Sequence, residues 1–308
     1  MKIGEARVIK HTGSHYQLSE LPKWDLFPAT LRGKIRLKGN NSTNPVAVGD
    51  RVRYELTGDS AVITDIFPRE NYLIRKSTNL SRQAHIIAAN IDMAFLVVSI
   101  ANPEIKLPFL DRLLVSCEIY HIPVTILLNK ADTHTEDLAE QVVNFHEIYT
   151  NAGYKVINIS ARTGKNIEKL REICKDKVCL FSGVSGVGKS SLIHALDPSL
   201  DPKIGKISEV HLQGKHTTTF YEMYKLESGG FIIDTPGIRG FGLVDIEKEE
   251  ISKYFPEMLE LSDNCKFIPC THTHEPKCAI KEAVETGEIS IERYSSYVGM
   301  LEENGKYR

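Results

Sequence analysis

The sequence lacks any apolar run long enough to cross a membrane, because a spanning helix needs about 20 largely apolar residues. Its longest apolar run, residues 91–101, is shorter and contains Asp92. The first ten residues, MKIGEARVIK, contain no apolar core of a secretion signal. We therefore expect a cytoplasmic protein that makes no membrane contact.

Cysteine is also scarce, with six residues in a chain of 308. Cys117, Cys174 and Cys179 lie in or beside apolar stretches, where reduced thiols behave as small buried hydrophobes. The other three crowd together near the C-terminus, which is not the pattern of a secreted disulfide scaffold. With 42% hydrophobic and 25% charged residues, the composition is typical of a globular protein, and the length predicts two or three domains.

The net charge is small, at −2, but it is distributed unevenly. Residues 1–80 carry 13 Lys and Arg against 8 Asp and Glu, a net +5, while residues 81–241 carry −1 and residues 242–308 carry −6. We take these three ranges as the predicted domains. The basic first range indicates a polyanion partner such as RNA, and a solvated surface with a mild excess of charge is the alternative.

The first predicted domain contains about five short strands separated by turn residues. EARVIKHTGSHYQLSE holds two strands around a Thr-Gly-Ser turn, and LRGKIRL, VGDRVRYEL and SAVITDIF follow. This pattern predicts a small β-barrel of OB type that binds RNA, with a small sandwich or an SH3-like barrel as alternatives. Basic and aromatic residues suited to an RNA surface are Tyr16, Arg32, Lys34, Arg36, Arg51, Arg53 and Tyr54.

From Ile91 onward, apolar strands alternate with helices, which predicts a doubly wound, mostly parallel α/β sheet. The predicted strands are IDMAFLVVSI, PVTILLNK, YKVINIS, KVCLFSGV, TTFYEMYKL and GFIIDTPG. The predicted helices cover residues 109–120, 136–152, 166–174 and 188–196. A long irregular loop is expected over residues 197–216, and mainly helical sequence follows residue 242.

The stretch GVSGVGKSS matches the phosphate-loop pattern G-x-x-x-x-G-K-[ST] and lies between a predicted strand and a predicted helix. Its backbone N–H groups would surround the β-phosphate of a nucleotide. Lys189 would reach the β- and γ-phosphate oxygens, and the Ser190 hydroxyl would contact Mg²⁺. The expected nucleotide contacts are Gly183, Val184, Ser185, Gly186, Val187, Gly188, Lys189, Ser190 and Ser191.

The stretch NKAD follows a predicted buried strand and suits recognition of guanine. The Asp132 carboxylate would accept hydrogen bonds from guanine N1–H and the 2-amino group, which adenine does not offer. Asn129 would tie this loop to the phosphate loop, and the Lys130 stem would cover the base. At the end of the next strand the Ala161 N–H would meet guanine O6. The expected base contacts are Asn129, Lys130, Ala131, Asp132, Ser160 and Ala161.

Two further motifs indicate magnesium and the γ-phosphate. In DTPG, Asp234 would hold Mg²⁺ through water, and the Gly237 N–H would meet the γ-phosphate. In HTTT, residues 216–219, one threonine would bind Mg²⁺ when the triphosphate is present. We take Thr218 as that ligand, although the spacing leaves Thr217 and Thr219 open.

These motifs occur in the order base, base, phosphate, switch, switch, whereas the phosphate loop usually comes first. Each motif adjoins the end of a strand, and in such folds ligands bind at the carboxyl edge of the sheet. A chain rejoined across its old termini keeps every spatial neighbour, since chain termini often lie close together. We therefore predict a circularly permuted nucleotide-binding domain whose second switch runs directly into the C-terminal domain.

The C-terminal stretch CKFIPCTHTHEPKC contains Cys265, Cys270, His272 and Cys278. Three thiolates and one imidazole form a closed tetrahedral set, which predicts one structural zinc ion. His274 is a competing ligand, and reduced cysteines in a loop are the alternative to a metal site. Because a small terminal segment has little core of its own, a bound metal would supply folding free energy.

The permuted motifs, the preceding barrel and the Cys-x₄-Cys-x-His-x₅-Cys spacing together resemble the RsgA family (YjeQ and YloQ) of circularly permuted GTPases over nearly the whole chain. RGKIR, VGDRV, AANID and RYSSYVGM add to the likeness. The family's nucleotide positions carry over to Asn129–Asp132 and Gly183–Ser191, and its zinc ligands to the four residues above. Lys277 departs from the glycine that is usual in the family, which affects the local turn and not the ligand set.

The resemblance implies a cytoplasmic, 30S-associated GTPase that binds 16S ribosomal RNA and acts late in small-subunit assembly. We expect a monomer that binds GTP and GDP. Ile238 follows DTPG, where many such switches have a glutamine that orients the attacking water. Since isoleucine cannot hydrogen-bond, His216 or a group supplied by the ribosome would position that water.

Two other functions remain open at the level of sequence. The first is a GTPase with a protein client, in metal delivery or translation control. The second is a non-enzymatic RNA-binding module whose nucleotide only stabilises the fold. The basic first range favours RNA over a protein client. The combination of Lys189, Ser190, Thr217–Thr219 and Asp234 favours hydrolysis over a purely structural nucleotide.

Overall fold

The computed structural model describes residues 3–13, 15–33, 45–58, 60–76, 84–200, 221–235 and 246–303. Within these ranges, no helix combines the length and the apolar character needed to cross a membrane. The predicted fold class, with a small barrel, a mostly parallel sheet and a helical C-terminal segment, is confirmed.

Five strands form the N-terminal barrel. They are paired in the order β1-β2-β3-β5-β4, and the pairing of β4 with β1 closes the ring, as the OB-type prediction requires. Alternate side chains point inward, so Val8, Leu18, Val52 and Ile63 are buried. The strands are β1 (Ile3–Thr12), β2 (His15–Ser19), β3 (Leu26–Leu31), β4 (Arg51–Thr57) and β5 (Ser60–Ile66).

The third strand of the barrel overlaps the predicted one only at Leu31. The alternation of LRGKIRL predicted a strand over residues 31–37, and β3 ends at Leu31, while residues 34–37 lie outside the described residues. Residues 26–30, which were not predicted as a strand, belong to β3 because they lie opposite β2 in a continuous antiparallel register. Lys34 and Arg36, two of the predicted RNA contacts, lie outside the described residues.

A two-stranded ribbon joins the barrel to the main sheet and was not predicted from the sequence. It consists of β6 (Tyr72–Lys76) and β7 (Ala84–Ala89). The segment before β4 packs on this ribbon, where Gly49 has φ +90° and an added Cβ would lie 2.1 Å from the Ala89 carbonyl oxygen. The contact therefore requires glycine.

The main sheet has the predicted doubly wound form. Its strands are ordered β10-β9-β8-β11-β13-β12, and all neighbours are parallel except β12, which is antiparallel to β13. The strands are β8 (Met93–Val98), β9 (Val124–Leu128), β10 (Lys155–Asn158), β11 (Val178–Ser182), β12 (Glu222–Lys225) and β13 (Phe231–Asp234).

Four helices cover this sheet within the described residues, close to the predicted ranges. The second begins later than predicted, because Glu136–Leu138 forms a 3₁₀ turn before the α-helix starts. Of the predicted irregular loop, residues 197–200 are described and residues 201–216 are not. The helices are α1 (Leu107–Ile119), α2 (Ala139–Asn151), α3 (Ile167–Cys174) and α4 (Lys189–Leu196).

The centre of the sheet is buried on both faces, as expected for parallel strands covered by helices. Phe95 of β8 and Phe181 of β11 pack with ring centroids 5.0 Å apart. Cys117, Cys174 and Cys179 are buried free thiols, as predicted. This rigid centre fixes the loops that follow the strands.

The C-terminal segment packs against α1 of the main sheet. A 3₁₀ turn (Lys248–Tyr254) leads to α5 (Pro256–Ser262), α6 (Ala279–Thr286) and α7 (Ile291–Glu303). Its own core is small and includes Phe255, Met258 and Tyr297, which are buried together with Val115 of α1. The segment therefore depends on its neighbour for burial of apolar surface.

A buried cluster of charges fixes this packing. Arg293 of α7 is 1% exposed and donates to both carboxylate oxygens of Glu257, at 2.7 and 3.1 Å. It also donates to Asp111 of α1 at 2.8 Å, and Asp111 accepts a further bond from Tyr149 at 2.9 Å. The guanidinium lies 4.5 Å from the ring centroid of Phe255. One cation thus joins two acids from different parts of the chain.

Substitution of Arg293 by Ala is expected to destabilise the C-terminal segment by about 3–5 kcal/mol, because it leaves two buried carboxylates without their cation. Amide hydrogen exchange of α7 measures this local loss. The control is Lys253→Ala, because Lys253 pairs with Glu250 at an exposed site. This substitution should change the free energy derived from the same exchange rates by less than about 0.5 kcal/mol. Equal effects of the two substitutions would contradict the assignment.

Candidate functional site

The predicted nucleotide-site residues that the structure describes lie at one edge of the main sheet. Residues 129–132 follow β9, residues 160–161 follow β10, residues 183–191 follow β11, and Asp234 ends β13. These strands are parallel neighbours with β8 between β9 and β11, so their carboxyl ends meet. The structure thus gathers segments that are far apart in the sequence.

The phosphate loop has a backbone that two glycines make possible. Gly183 has φ +153°, and an added Cβ would lie 2.2 Å from the Val97 carbonyl oxygen of β8. Gly188 has φ +92°, and an added Cβ would lie 2.5 Å from Nδ2 of Asn129. The loop therefore packs directly on the neighbouring strand and on the base-recognition loop, with no room for side chains.

Lys189 is buried and folded back over the loop. Its Nζ donates to the carbonyl oxygens of Gly183 at 2.7 Å and of Val184 at 3.1 Å. Burial lowers the pKa of Lys189, and the nearby Asp234 carboxylate opposes that shift. Phosphate oxygens can replace these carbonyl acceptors with charged ones, which form stronger hydrogen bonds with a lysine ammonium group.

Asn129 and Lys130 hold the two recognition loops together. The Asn129 side chain is buried, and its Nδ2 donates to the Val187 carbonyl oxygen at 2.8 Å. The Lys130 Nζ donates to the Gly186 carbonyl oxygen at 2.8 Å and to that of Asn102. Lys130 itself has φ +62°. No motif in the sequence indicated the Asn102 contact.

The Asp132 carboxylate is oriented by Ser160. The Ser160 hydroxyl donates to Oδ1 of Asp132 at 2.5 Å, and Nη1 of Arg162 lies 3.8 Å from Oδ2. The Ser160 hydrogen bond is the main cause that lowers the pKa of Asp132. An ionised, oriented carboxylate can accept hydrogen bonds from two donors on one edge of a base.

Asp234 has a buried carboxylate group that can accept a further ligand. Its Oδ1 has no hydrogen-bond partner among the described residues. Burial raises the pKa of Asp234 to about 6, against the opposing effect of Lys189. A buried carboxylate oxygen without a partner suits a divalent cation such as Mg²⁺, which is bound through oxygen.

The remaining predictions for this site fall on residues outside the described part of the chain. They concern His216, residues 217–219 including Thr218, Gly237 and Ile238. Their roles in magnesium binding, phosphate contact and positioning of water stay predictions. Of the two switch motifs, Asp234 and Thr235 are described, and the Thr235 hydroxyl donates to the Phe181 carbonyl oxygen at 2.8 Å.

The Cys/His residues near the C-terminus form a compact cluster. One ligand atom from each of Cys265, Cys270, His272 and Cys278 lies within 4.8 Å of the others. Cys265 Sγ is 3.9 Å from Cys278 Sγ and 3.6 Å from Nδ1 of His272. Tetrahedral thiolates on a metal at about 2.3 Å would be about 3.8 Å apart, so the geometry fits. The set can hold a metal ion.

Residues that sequence reasoning missed support this cluster. The hydroxyl groups of Tyr294 and Tyr297 on α7 donate to the carbonyl oxygens of His272 and Thr271, at 2.7 and 2.8 Å. Glu275 accepts hydrogen bonds from the Thr271 backbone and hydroxyl. Burial lowers the pKa of His272, which favours the neutral imidazole that a metal requires. The stretch RYSSYVGM held these tyrosines, but their spacing alone did not indicate this role.

Comparison with known proteins identifies close relatives. The model of the RsgA GTPase family matches residues 66–244. A Bacteroides fragilis protein named small ribosomal subunit biogenesis GTPase RsgA is 51% identical, over 98% of both chains. A Flavobacterium psychrophilum protein of the same name is 50% identical, over 96% of this chain and 91% of its own.

Solved structures show the same similarity. YjeQ from Thermotoga maritima superposes with a TM-score of 0.79 at 34% identity, over 98% of both chains. YloQ, described as a circularly permuted GTPase, superposes with a TM-score of 0.75 at 32% identity, over 100% of this chain and 96% of its own. The predicted permutation therefore has a structural counterpart.

Substitution of Asp234 by Asn is expected to stabilise the protein at neutral pH in the absence of Mg²⁺ and nucleotide. The folded carboxyl keeps its proton up to pH about 6, whereas the unfolded one releases it near 3.8, so wild-type stability falls as pH rises through this window. The stability gap between the Asp234→Asn variant and wild-type protein should grow from near zero at pH 4 to about 3 kcal/mol at pH 7.5. Urea unfolding at each pH measures it.

The matched control is Asp197→Asn. Although burial opposes the shift, hydrogen bonds from Ser199 and from the Glu227 N–H lower the pKa of Asp197. Its ionised form therefore stabilises the fold, and its substitution should reduce stability above pH 4. A stability gap for Asp234→Asn that does not change with pH would refute the assignment.

Proposed function

This chain belongs to the RsgA GTPase family, and we propose that it hydrolyses GTP to GDP and phosphate while acting in the assembly of the small ribosomal subunit. The observation that carries the proposal is the hydrogen bond from Asn129 to the Val187 carbonyl, which joins a guanine-recognition loop to a phosphate loop. A module that needed nucleotide only for stability would not require the buried Lys189 and Asp234 beside that loop.

In this proposal the base is recognised by its hydrogen-bonding groups and its shape. The Asp132 carboxylate, held by Ser160, accepts the N1–H and 2-amino hydrogens of guanine. The Ala161 N–H donates to O6, and the stem of Lys130 covers one face of the ring. Adenine lacks these donors, so its binding would leave the carboxylate unpaired, which disfavours it by roughly 10⁴–10⁵.

The phosphates occupy the loop of residues 183–190. Its N–H groups and the N-terminus of α4 favour negative charge, and the Lys189 ammonium moves from the loop carbonyls to the β- and γ-phosphate oxygens. The Ser190 hydroxyl and Asp234 would hold Mg²⁺. That ion would neutralise the charge that develops on the phosphates during transfer.

The barrel provides the RNA-binding surface in this proposal. Arg51 and Arg53 project from β4 with their side chains exposed, and both guanidinium groups lie over the Phe67 ring, at 5.6 and 5.4 Å from its centroid. Two cations fixed on an aromatic side chain suit an RNA backbone, because arginine binds phosphate and stacks on bases. The partner would be the 30S subunit and its 16S RNA, bound by a monomer in the cytoplasm.

A protein client in metal delivery or translation control is not supported by the relatives, whose names specify small-subunit biogenesis. The exposed Arg51 and Arg53 of the barrel also favour RNA over a protein client, whereas Tyr16 and Tyr54, predicted as RNA contacts, are buried in the barrel core. The ribosomal function is therefore the one that both observations favour.

Steady-state GTP hydrolysis with and without purified 30S subunits tests this function. Because Ile238 cannot orient water, the free protein should hydrolyse slowly, and 30S subunits should raise kcat at least roughly tenfold, equivalent to about 1.4 kcal/mol. Purified 50S subunits are the control and should leave the rate unchanged. A free rate equal to the 30S-stimulated rate would refute ribosomal activation.

Two variants refine the result. Asp132→Asn should shift preference from GTP towards xanthosine triphosphate, because one acceptor oxygen becomes a donor. His216→Ala should lower the stimulated rate if His216 positions the water. If that rate is unchanged, the ribosome or another residue of this chain supplies the group.

The metal in the C-terminal cluster is proposed to be one structural Zn²⁺ per chain. The three thiols and one imidazole are the ligand set that zinc prefers, and all four positions of a tetrahedron are filled by protein. Such a site contributes folding free energy. It leaves no open coordination position for catalysis.

Elemental analysis of protein purified without added metal should find one zinc per chain. Chelation, or the substitution Cys270→Ser, should make residues 246–303 sensitive to protease while GTP binding persists. Cys117→Ser is the control, because Cys117 is buried in the main sheet's core and not in the cluster. A zinc-free protein with an equally resistant C-terminal segment would contradict the proposal.

A further inference from the structure

The barrel and the nucleotide-binding sheet are joined edge to edge at β12. On one side β12 pairs with β13, and on the other side Lys10 of β1 pairs with Glu222 of β12. The barrel and the main sheet therefore form one continuous set of eleven strands. We call the contacts of β12 and β13 with the barrel the seam.

Among the described residues, three side-chain contacts can be named in the seam. Lys10 Nζ lies 2.7 Å from Oε2 of Glu222, and the side chains are 31% and 29% exposed. The Trp24 ring stacks on Phe231 of β13, with centroids 5.4 Å apart and planes 29° apart. Lys225 donates to the Pro22 carbonyl oxygen at 3.4 Å. The seam thus combines one half-exposed ion pair with one aromatic stack.

The two strands of the seam also carry the site. Glu222 is the register partner of Asp234, the carboxylate proposed to hold Mg²⁺. Phe231, which Trp24 contacts, begins the four-residue strand that Asp234 ends. In the sequence, residues 216–219 immediately precede this pair of strands and residues 235–237 follow it. A displacement of the barrel would therefore act on the strands that connect the two switch motifs.

A second junction connects the barrel to the start of β8 in the main sheet. There the Asn90 Nδ2 donates to the Gly49 carbonyl oxygen at 3.0 Å, and Asn71 and Ile91 exchange two hydrogen bonds at 2.8 Å. These contacts lie at the start of β8, at the edge of the sheet opposite the nucleotide loops. This junction holds the barrel in place, while the seam touches the strand of Asp234.

We propose that the seam couples RNA bound on the barrel to the nucleotide state of the site. This inference rests on the proposed function, because it takes the barrel's ligand to be an RNA backbone and the nucleotide to be GTP. Coupling of this kind is reciprocal, so the affinity for the small subunit must depend on the nucleotide, and the dependence must pass through Lys10–Glu222 and Trp24–Phe231.

The first test needs no ribosome. Trp24 is the single tryptophan of the chain, so its fluorescence reports the seam alone. Acrylamide quenching of Trp24 should differ between protein bound to GDP and protein bound to a non-hydrolysable GTP analogue. Identical quenching in the two states would overturn the inference and would leave the proposed function intact.

The second test measures the coupling itself. The ratio of 30S affinities with GTP analogue and with GDP is determined by co-sedimentation for wild-type, Lys10→Glu, Glu222→Lys and the double exchange. Each single charge reversal should reduce the ratio by up to about fivefold, the upper end for a half-exposed ion pair. The double exchange should restore it. Any direct effect of residue 10 on RNA affinity cancels in the ratio.

Two further variants complete the design. Trp24→Leu should also reduce the ratio, because it removes the aromatic stack and keeps a hydrophobic side chain. Lys253→Glu, at an exposed ion pair far from the seam in the sequence, should leave it at the wild-type value. A wild-type ratio in both Lys10→Glu and Trp24→Leu would overturn the inference. If wild-type protein fails to bind 30S subunits, the proposed function and the inference fail together.

Discussion

A buried hydrogen bond from the Asn129 side chain to the Val187 carbonyl oxygen is the contact on which the rest of the nucleotide site depends. It sets the distance between the loop proposed to recognise the base and the loop proposed to hold the phosphates. Gly188 makes that approach possible, because any Cβ there would collide with the Asn129 amide. A nucleotide spans a limited range of distances between base and phosphates, so loops already held at a suitable separation lower the cost of ordering on binding.

This dependence explains why the chain order of the motifs can change without loss of the site. Asn129 follows β9 and Val187 follows β11, and β8 lies between the two strands in the sheet. Their separation is fixed by strand pairing and not by the connecting chain. The permutation alters instead what the second switch is attached to, since the chain after Asp234 now leads to the C-terminal segment that packs on α1.

The sequence is enough to propose the nucleotide-site residues because the chemistry that marks them is local: glycines that permit a turn, a lysine after them, and a carboxylate at the end of an apolar strand. Features that depend on distant partners could not. Arg293 occupies an amphipathic helix where an arginine ordinarily faces solvent, and only the fold shows Asp111 and Glu257 around it. The β6–β7 ribbon likewise depends on contact with Gly49.

The two flanks of the nucleotide-binding sheet are held with unequal strength. On one flank, the buried Arg293 cluster fixes α1, and the loop before α1 contacts the phosphate loop where Pro103 approaches Gly186. On the other, the ion pair that joins β12 to the barrel is half-exposed, and it is easier to break than a buried cluster. In the proposed coupling, a displacement linked to the nucleotide is therefore expected at β12 and β13, the strands that reach the barrel.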